Sequence, residues 1–387
     1  MEQRLELIRE WKEGESIAVL AEVYGVSRKT VYKWIERYQA EGAAGLKDRS
    51  RAPHHRPQQL GDEMIAAILQ ARQRWGWGPR KLRVKLMAED PDVDWPAAST
   101  IGEVLRRAGL THGRKPRCRT PPYTQPFAGV GEANQTWCGD FKGWFRTGDG
   151  VRCDPLTITD AHSRYLLRCQ IVGKTDLVHV EAIFDAAFRE FGLPRVIRTD
   201  NGTPFASRAP GGLSRLSMRW VKLGIVPERT RPASPQENGR HERMHLTLKQ
   251  EALAPPAGNP RRQQQAFHRF CERYNHQRPH EALDYKTPAE CFAPSPRAMP
   301  RRVPELDYPP EFLVRRVSQQ GSVCWKNERT FISEIFAYEP LGLRPCDERY
   351  GELFYGPIRL GWLDGFRHRF HRTLNRRLRE QLGESAG

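Results

Sequence analysis

The chain has 387 residues, of which 38% are hydrophobic, and its formal net charge is +17 at pH 7. This length predicts roughly two to four domains. No run of about 18 apolar residues occurs, which excludes a transmembrane helix and a membrane partner. The N-terminal sequence MEQRLELIREWKEGES is charged throughout, which excludes a secretory signal peptide.

The positive charge is spread along the chain and is not concentrated in a tail. The net charge is +7 over residues 1–127, +6 over 128–296 and +4 over 297–387. An even distribution favours a long footprint on a polyanion, with nucleic acid as the first candidate. A basic protein without such a partner is the alternative.

The eight cysteines are scattered and include no C-x-x-C pair. This spacing excludes a zinc ribbon and a disulfide framework, so reduced thiols are expected. His276 and His280 are four positions apart, but no cysteine pair stands near them, so we interpret them as surface or structural residues.

The N-terminal segment, residues 1–47, has the pattern of a helix-turn-helix domain. Ser16 is suited to cap one helix and Ser27 the next, and Gly25 between them can adopt a positive φ. A plain helical hairpin is the alternative. The second helix presents four polar residues at the end that reaches DNA bases in this motif, namely Arg28, Lys29, Thr30 and Lys33.

A second helical domain with a helix-turn-helix-like pattern is predicted over residues 60–112. Pro79 suits the first turn of one of its helices and Ser99 the N-cap of another. Polar or Pro-rich linkers are expected on either side, at 48–60 and 111–127. The helices are predicted at 61–74, 79–89 and 99–108.

Residues 128–292 alternate between strand and helix patterns, which predicts an α/β core. A Pro-rich stretch at 293–310 separates this core from a run of short strands, for which we predict a small β-barrel over 308–370. The core elements are strands within 134–172 with a turn at Gly148-Asp149-Gly150, a helix at 176–191, a strand at 195–200, and helices after Pro235 and at 261–275.

Three acidic residues in this core are candidates for phosphoryl transfer chemistry. Such chemistry at a DNA backbone can use two Mg²⁺ ions about 4 Å apart, held by carboxylates on rigid elements. Asp140 lies in a strand-like segment, where a lone buried charge is costly. Asp200 ends an apolar strand. Glu242 shares one helical face with His245 and Lys249, at positions i, i+3 and i+7.

The residues alone leave alternatives open. Asp200 could be a turn residue before Asn201-Gly202, and Glu242 could be a solvated helix acid. Asp160 and Glu237 are alternative candidates for the triad. The role of Glu237 could be limited to a favourable interaction with the helix dipole.

The ordered motifs of the core resemble those of insertion-sequence transposases with a retroviral-integrase-like catalytic core, the DDE superfamily. Trp137 to Asp140 resembles W-x-x-D, and Asp160 to Arg164 resembles D-x-x-S-R. Thr199 to Gly202 resembles T-D-N-G. The segment Ser234 to His245 resembles P-Q-x-x-G-x-x-E-x-M-N, which assigns the third acid to Glu242. The trailing block comprises Tyr274-Asn275, Arg278-Pro279-His280 and Thr287-Pro288.

The resemblance implies a ribonuclease-H-like fold with a mixed five-stranded sheet. It implies that Asp140, Asp200 and Glu242 are catalytic and bind two Mg²⁺ or Mn²⁺ ions. It also implies that the enzyme nicks element ends and joins the 3′-OH to target DNA. It implies that Lys249 contacts double-stranded DNA, and His245 is a further candidate contact. A homo-oligomer on DNA and a cytoplasmic, nucleoid-associated location in a bacterium are also expected.

Three features depart from the family pattern. The 42 positions from Asp200 to Glu242 exceed the usual spacing, and we expect 206–217 to loop out. His245 stands where integrases often carry Asn. A helix-turn-helix replaces the zinc domain of retroviral integrases, which favours a bacterial transposase. A DNA-binding regulator and a nuclease that does not join strands are the competing hypotheses.

Overall fold

The structure is a computed structural model, and it describes residues 2–49, 60–111, 129–230 and 239–373. It divides into two compact units, Met1–Ala67 and Ile68–Gly387. No helix in the described ranges has the length and apolar character needed to cross a membrane. Both predicted linkers fall mainly outside these ranges, as do Pro235 and Glu237.

The first unit contains the predicted helix-turn-helix. Its helices are α1 (Glu2–Lys12), α2 (Ile17–Val23) and α3 (Arg28–Glu41), followed by a 3-10 turn. The hydroxyl of Ser16 accepts the Val19 N–H at 3.3 Å, and that of Ser27 accepts the Thr30 N–H at 3.2 Å. Gly25 has a φ of +61°. The predicted caps and turn are therefore confirmed. The small core consists of Leu7, Ile8, Leu20, Val31, Ile35 and Leu46.

Three further helices lie where the sequence predicts them: α4 (Asp62–Trp75), α5 (Pro79–Glu89) and α6 (Ala98–Arg107). Pro79 opens α5 as expected. The predicted cap at Ser99 is wrong, because α6 begins one residue earlier and Ala97 occupies the N-cap without a side-chain hydrogen bond. The boundary between the two units falls inside α4.

The central sheet is built from β1 (Thr136–Phe141), β2 (Phe145–Arg146), β3 (Arg152–Asp160), β4 (Leu166–Val172), β5 (Val196–Thr199) and β6 (Val226–Arg229). Five of these strands follow the order β4-β3-β1-β5-β6. Strand β3 is antiparallel to both β1 and β4, whereas β5 and β6 run parallel to β1. The short strand β2 pairs with the start of β3. This is the expected mixed five-stranded sheet with one added strand.

Helices cover both faces of the sheet. The helix α7 (Leu177–Phe191) packs a large apolar cluster on one face. On the other face, α9 (Gly239–Ala252) and α10 (Pro260–His276) pack against β4 through a second cluster. Two shorter helices are α8 (Arg215–Lys222) and α11 (Pro288–Cys291).

The expected loop over 206–217 is only partly correct. The segment forms a 3-10 turn, Pro210–Gly212, and α8 begins at Arg215 within it. A capping box explains the start of α8: the Ser214 hydroxyl accepts the Ser217 N–H at 3.2 Å, and the Ser217 hydroxyl accepts the Ser214 N–H at 2.8 Å.

The C-terminal strands are β7 (Leu313–Arg316), β8 (Ser322–Trp325), β9 (Glu328–Phe331), β10 (Pro340–Pro345), β11 (Tyr350–Tyr355), β12 (Ile358–Asp364) and β13 (Arg369–His371). They form an open antiparallel sheet of order β13-β12-β11-β10-β7 and a separate β8–β9 hairpin. The edge strands β7 and β13 pair neither with each other nor with the hairpin, so residues 313–371 contain no closed barrel and the predicted β-barrel is not confirmed.

Candidate active site

Strand β1 sends alternate side chains to opposite faces of the sheet. The Trp137 ring lies 5.8 Å from the Phe188 ring of α7. A Cβ atom on Gly139 would lie 2.9 Å from the Phe184 ring, so Gly139 faces the same helix. Asp140 must then face α9, together with Cys138.

Asp140 and Asp200 lie side by side at the ends of two parallel strands. Gly139 pairs with Thr199 in the β1–β5 register, and the residue that follows each of them is an aspartate. Neighbouring strands are about 4.8 Å apart. The Asp200 carboxylate also accepts the Gly202 N–H at 3.1 Å, which holds it at the start of the following turn.

Glu242 comes from the first turn of α9 and is exposed. The pKa of the Asp140 carboxyl is raised from 3.8 to about 7, first by burial and then by the negative charges of Asp200 and Glu242. Asp200 and Glu242 are therefore both within electrostatic reach of Asp140. A cation bound among them would relieve this repulsion, and carboxylate oxygens are the ligands that Mg²⁺ and Mn²⁺ prefer.

A buried polar network joins α9 to this end of the sheet. The Thr157 hydroxyl on β3 lies 2.7 Å from Nε2 of His241 and 2.8 Å from Nε2 of His245, and it donates to the Asp140 carbonyl at 3.0 Å. The Thr159 hydroxyl lies 3.2 Å from Nδ1 of His241. Both imidazoles are buried.

The geometry of this network places a proton on Nε2 of both rings. A hydroxyl has one proton and two acceptor positions, and Thr157 donates its proton to the Asp140 carbonyl, so it accepts an Nε2–H from each histidine. Burial lowers the pKa of His241 to about 4 and that of His245 further, which favours the neutral form of both imidazoles.

The same histidines form a potential metal-binding cluster with Asp140. One ligand atom from each of Asp140, His241 and His245 lies within 4.8 Å of the others. However, Thr157 occupies both Nε2 atoms. The hydrogen-bond network therefore accounts for the two buried imidazoles without a histidine-ligated metal.

Asp160, a competitor for the triad, has a structural role. Its carboxylate is buried and accepts the Ser163 N–H at 2.7 Å, the Ser163 hydroxyl at 2.6 Å and the Asn134 N–H at 2.8 Å. These bonds close the turn between β3 and β4. Glu237, the other competitor, lies outside the described residues.

Family models match along most of the chain. A helix-turn-helix domain matches residues 3–54 and a homeodomain-like domain matches 30–105. Two models of the integrase core domain match residues 131–235 and 223–288, a range that includes Asp140, Asp200 and Glu242. The chain belongs to the DDE superfamily of transposases and integrases. It is accordingly a polynucleotidyl transferase.

Curated relatives of this DDE enzyme come from insertion elements. An uncharacterized 31.7 kDa protein of IS407 from Burkholderia multivorans is 27% identical over 61% of this chain and 83% of the relative. The transposase InsD of IS2 from Escherichia coli is 28% identical over 50% of this chain and 65% of its own length. The Gag-Pol polyprotein of baboon endogenous virus is 28% identical over 56% of this chain, but the match covers 12% of that protein.

Solved structures similar to the DDE enzyme include retroviral integrases. The catalytic core of HTLV-2 integrase in complex with magnesium is 18% identical over 41% of this chain and 97% of that one, with a TM-score of 0.33. A simian T-cell lymphotropic virus intasome is 15% identical over 74% of this chain and 91% of that one, with a TM-score of 0.38.

The trailing motif block of the DDE enzyme connects α10 to the sheet and to α9. The Asn275 amide on α10 accepts the Leu166 N–H at 2.8 Å and donates to the Leu166 carbonyl at 3.0 Å, so it pairs with β4 as a strand would. Arg278 forms an ion pair with Glu251 of α9. The Thr287 side chain and Glu290 form a capping box at α11.

The predicted DNA-contact residues of the DDE enzyme lie in different environments. On α3, Arg28, Lys29 and Lys33 are exposed, whereas Thr30 is half-buried and its hydroxyl lies 2.9 Å from that of Ser27. Lys249 is exposed on α9. His245 is only 8% exposed and is bound to Thr157, so we do not include it among the proposed DNA contacts.

Sequence reasoning missed the bridging role of Thr157 and Thr159. Two signals could have found it: the two threonines are two positions apart on β3 and share a face, and the histidines are four apart on α9. Neither signal specifies that the two faces meet.

Proposed function

We propose that this protein is a DNA transposase that binds the ends of an insertion element, nicks them and joins the freed 3′-OH to target DNA. The convergence of Asp140, Asp200 and Glu242 at one end of the sheet carries this proposal. Burial, and then the negative charges of Asp200 and Glu242, raise the pKa of Asp140, which is expected of a site built to hold cations.

The three carboxylates would hold two Mg²⁺ or Mn²⁺ ions, which supply activation of the attacking oxygen and neutralisation of charge on the phosphate. Asp140 and Asp200 are fixed by the strand pairing, and Glu242 is fixed through the contact of α9 with Thr157. The residues can therefore bind the ions with little reorganisation, which favours rapid chemistry.

The helix-turn-helix would supply recognition of the element ends. The exposed side chains of Arg28, Lys29 and Lys33 lie in the first turns of α3, the part of a recognition helix that enters the major groove. Lys249 on α9 would hold a DNA phosphate near the acids. Pairing of two ends before joining would require a homo-oligomer on the DNA.

An in vitro reaction with duplexes that carry the terminal repeats flanking the gene tests this function. We expect Mg²⁺ to support both nicking and joining, EDTA to abolish both, and Asp200→Asn to abolish both while end binding persists. Arg28→Ala with Lys29→Ala should instead weaken end binding. Full activity of Asp200→Asn would refute the proposal.

Pre-nicked ends separate the proposal from its two alternatives. A transposase joins them to target DNA, whereas a nuclease that only hydrolyses leaves them unjoined. A DNA-binding regulator would bind the ends and neither nick nor join them.

A further inference from the structure

The β2–β3 ribbon has one buried and one exposed side. Phe145 pairs with Cys153 across the ribbon and packs its ring against Phe267 at 6.2 Å, which makes this side the inner one. Arg146 pairs with Arg152, so alternation places both on the outer side.

Trp144 is two positions before Arg146 and therefore lies on the same outer side as the two arginines. All ten tryptophans of the chain lie among the described residues. Trp144 is the only one of them that is exposed, with 58% of its surface accessible to solvent. The guanidinium carbon of Arg152 lies 5.2 Å from its ring centre and that of Arg146 lies 5.8 Å away. More than half of this residue stays exposed after folding, so burial alone does not explain an indole in this position.

The charge of this patch is positive. Arg152 is balanced by a two-point ion pair with Asp154, at 2.9 and 3.1 Å. Arg146 donates to the Gly150 carbonyl at 2.7 Å and has no carboxylate partner within the described part of the chain. An exposed aromatic ring beside an unbalanced guanidinium suits a ligand that is both aromatic and anionic.

The ribbon is held firmly at its tip, and its start follows Asp140 closely along the chain. At its tip, the Gly148 and Asp149 N–H groups donate to the carbonyls of Ala257 and Gly258 in the α9–α10 loop, both at 2.9 Å. Only three residues separate Trp144 from Asp140, so their Cα atoms are at most about 15 Å apart. That distance corresponds to roughly four nucleotides of a DNA strand.

We propose that Trp144, Arg146 and Arg152 form a stacking platform for a nucleobase of the DNA strand that enters the active site. The indole stacks on the base, and Arg146 binds a neighbouring phosphate. The platform holds a base that has left the duplex within about four nucleotides of the scissile phosphate. This inference rests on the proposed function, since it requires DNA at the carboxylates.

Photo-cross-linking tests the platform with the full-length protein. Terminal-repeat duplexes carry 5-iodouracil at single positions within about four nucleotides of the cleaved phosphate, and the cross-linked peptide is mapped. We expect a cross-link at Trp144 from at least one position. Trp144→Phe should keep a cross-link there, whereas Trp144→Ala should lose it and weaken DNA binding roughly tenfold.

Phe366→Ala is the matched control, because Phe366 is 60% exposed and has Lys326 at 4.9 Å from its ring, but lies in the turn between β12 and β13. This variant should leave the cross-link unchanged. A cross-link that persists in Trp144→Ala, or that maps away from the ribbon, would overturn the platform.

Two further outcomes would also overturn it. If Trp144→Ala changes the oligomeric state while the wild type gives no cross-link at the ribbon, a second copy of the chain covers the indole. If the wild type nicks and joins ends but Trp144→Ala does so equally well, the platform fails and the proposed function stands. A wild type that binds no DNA would overturn both.

Discussion

The two faces of the central sheet differ in chemistry although the same strands build both. The face toward α7 is apolar, and its buried residues include Trp137, Ile197 and the helix residues Phe184 and Phe188. The face toward α9 carries Asp140, Thr157, Thr159 and Asp200 opposite two buried histidines. The two-residue period of a strand separates these sets, so one face of the sheet is apolar and the other carries the carboxylates and hydroxyls.

This division has an energetic consequence. The α7 face gains stability from burial of apolar area and ring contacts such as that of Phe184 with Trp220, whose ring centres are 4.9 Å apart. The α9 face gains stability only while its polar atoms remain paired. Mutations on the α9 face should therefore mainly lower activity, and mutations on the α7 face should mainly lower stability.

The largest expected effect is on activity and comes from the α9 face. Glu242→Gln removes a negative ligand at nearly constant size, so we expect nicking to fall by about 10⁴-fold while end binding and thermal stability persist. The rate of end nicking measures this. Glu237→Gln is the matched control and should have a mild effect, and equal loss in the two variants would show that the third acid is misassigned.

On the α7 face, Phe184→Ala should instead lower stability. Truncation of this fully buried ring should cost about 3–5 kcal/mol and lower the melting temperature. Val178→Ala on the same helix is the control, because Val178 is 73% exposed and should change stability little. If the two variants melted alike, the division between the faces would be wrong.

Thr157→Val tests whether the polar network positions Glu242. Valine keeps the shape but removes the hydroxyl that accepts both imidazole N–H groups, which should cost about 2 kcal/mol. We expect the Mg²⁺ concentration for half-maximal nicking to rise several-fold, because α9 is held less firmly. Thr157→Ser retains the hydroxyl and should restore the wild-type requirement; failure of serine to do so would argue against the network.

The smallest effect is a dependence of stability on pH. Burial lowers the pKa of His241 from 6.5 to about 4, so the unfolded chain binds a proton at pH 5 that the folded chain does not. Stability present above pH 6.5 is then lost as the pH falls toward 4, by about 2 kcal/mol at pH 5.

Comparison with His241→Gln isolates this contribution. Asp140 acts in the opposite direction, because its raised pKa gives stability that is lost as the pH rises from about 4 to 7, but it is present in both proteins. The melting temperature of the wild type should therefore fall more between pH 7 and pH 5 than that of the variant. Equal slopes would show that His241 does not titrate as described.

The sequence predicts most of the fold because its local signals are strong. Ser16, Gly25 and Ser27 locate the helix-turn-helix by capping and turn chemistry alone. The ordered motifs select Asp140, Asp200 and Glu242 from the competing acids, and the structure then gives Asp160 a turn-closing role. Local signals work here because each depends on residues a few positions apart.

The features that the sequence does not settle involve contacts between residues distant in the sequence. A closed barrel, which is not confirmed, would require β7 and β13 to pair with each other or with the β8–β9 hairpin, and no pattern within a single strand encodes such a pairing. The Thr157 network joins β3 to α9 across 84 positions. The exposure of Trp144 also depends on what covers the ribbon, which the alternation of β2 and β3 does not reveal.

The proposed function requires Asp140, Asp200 and Glu242 to hold the catalytic cations on the α9 face. Crystals soaked in Mn²⁺ and measured at the manganese absorption edge test this requirement directly. We expect anomalous density that contacts all three carboxylates and leaves the imidazoles of His241 and His245 bound to Thr157. Density centred on those imidazoles, or on none of the three acids, would contradict it.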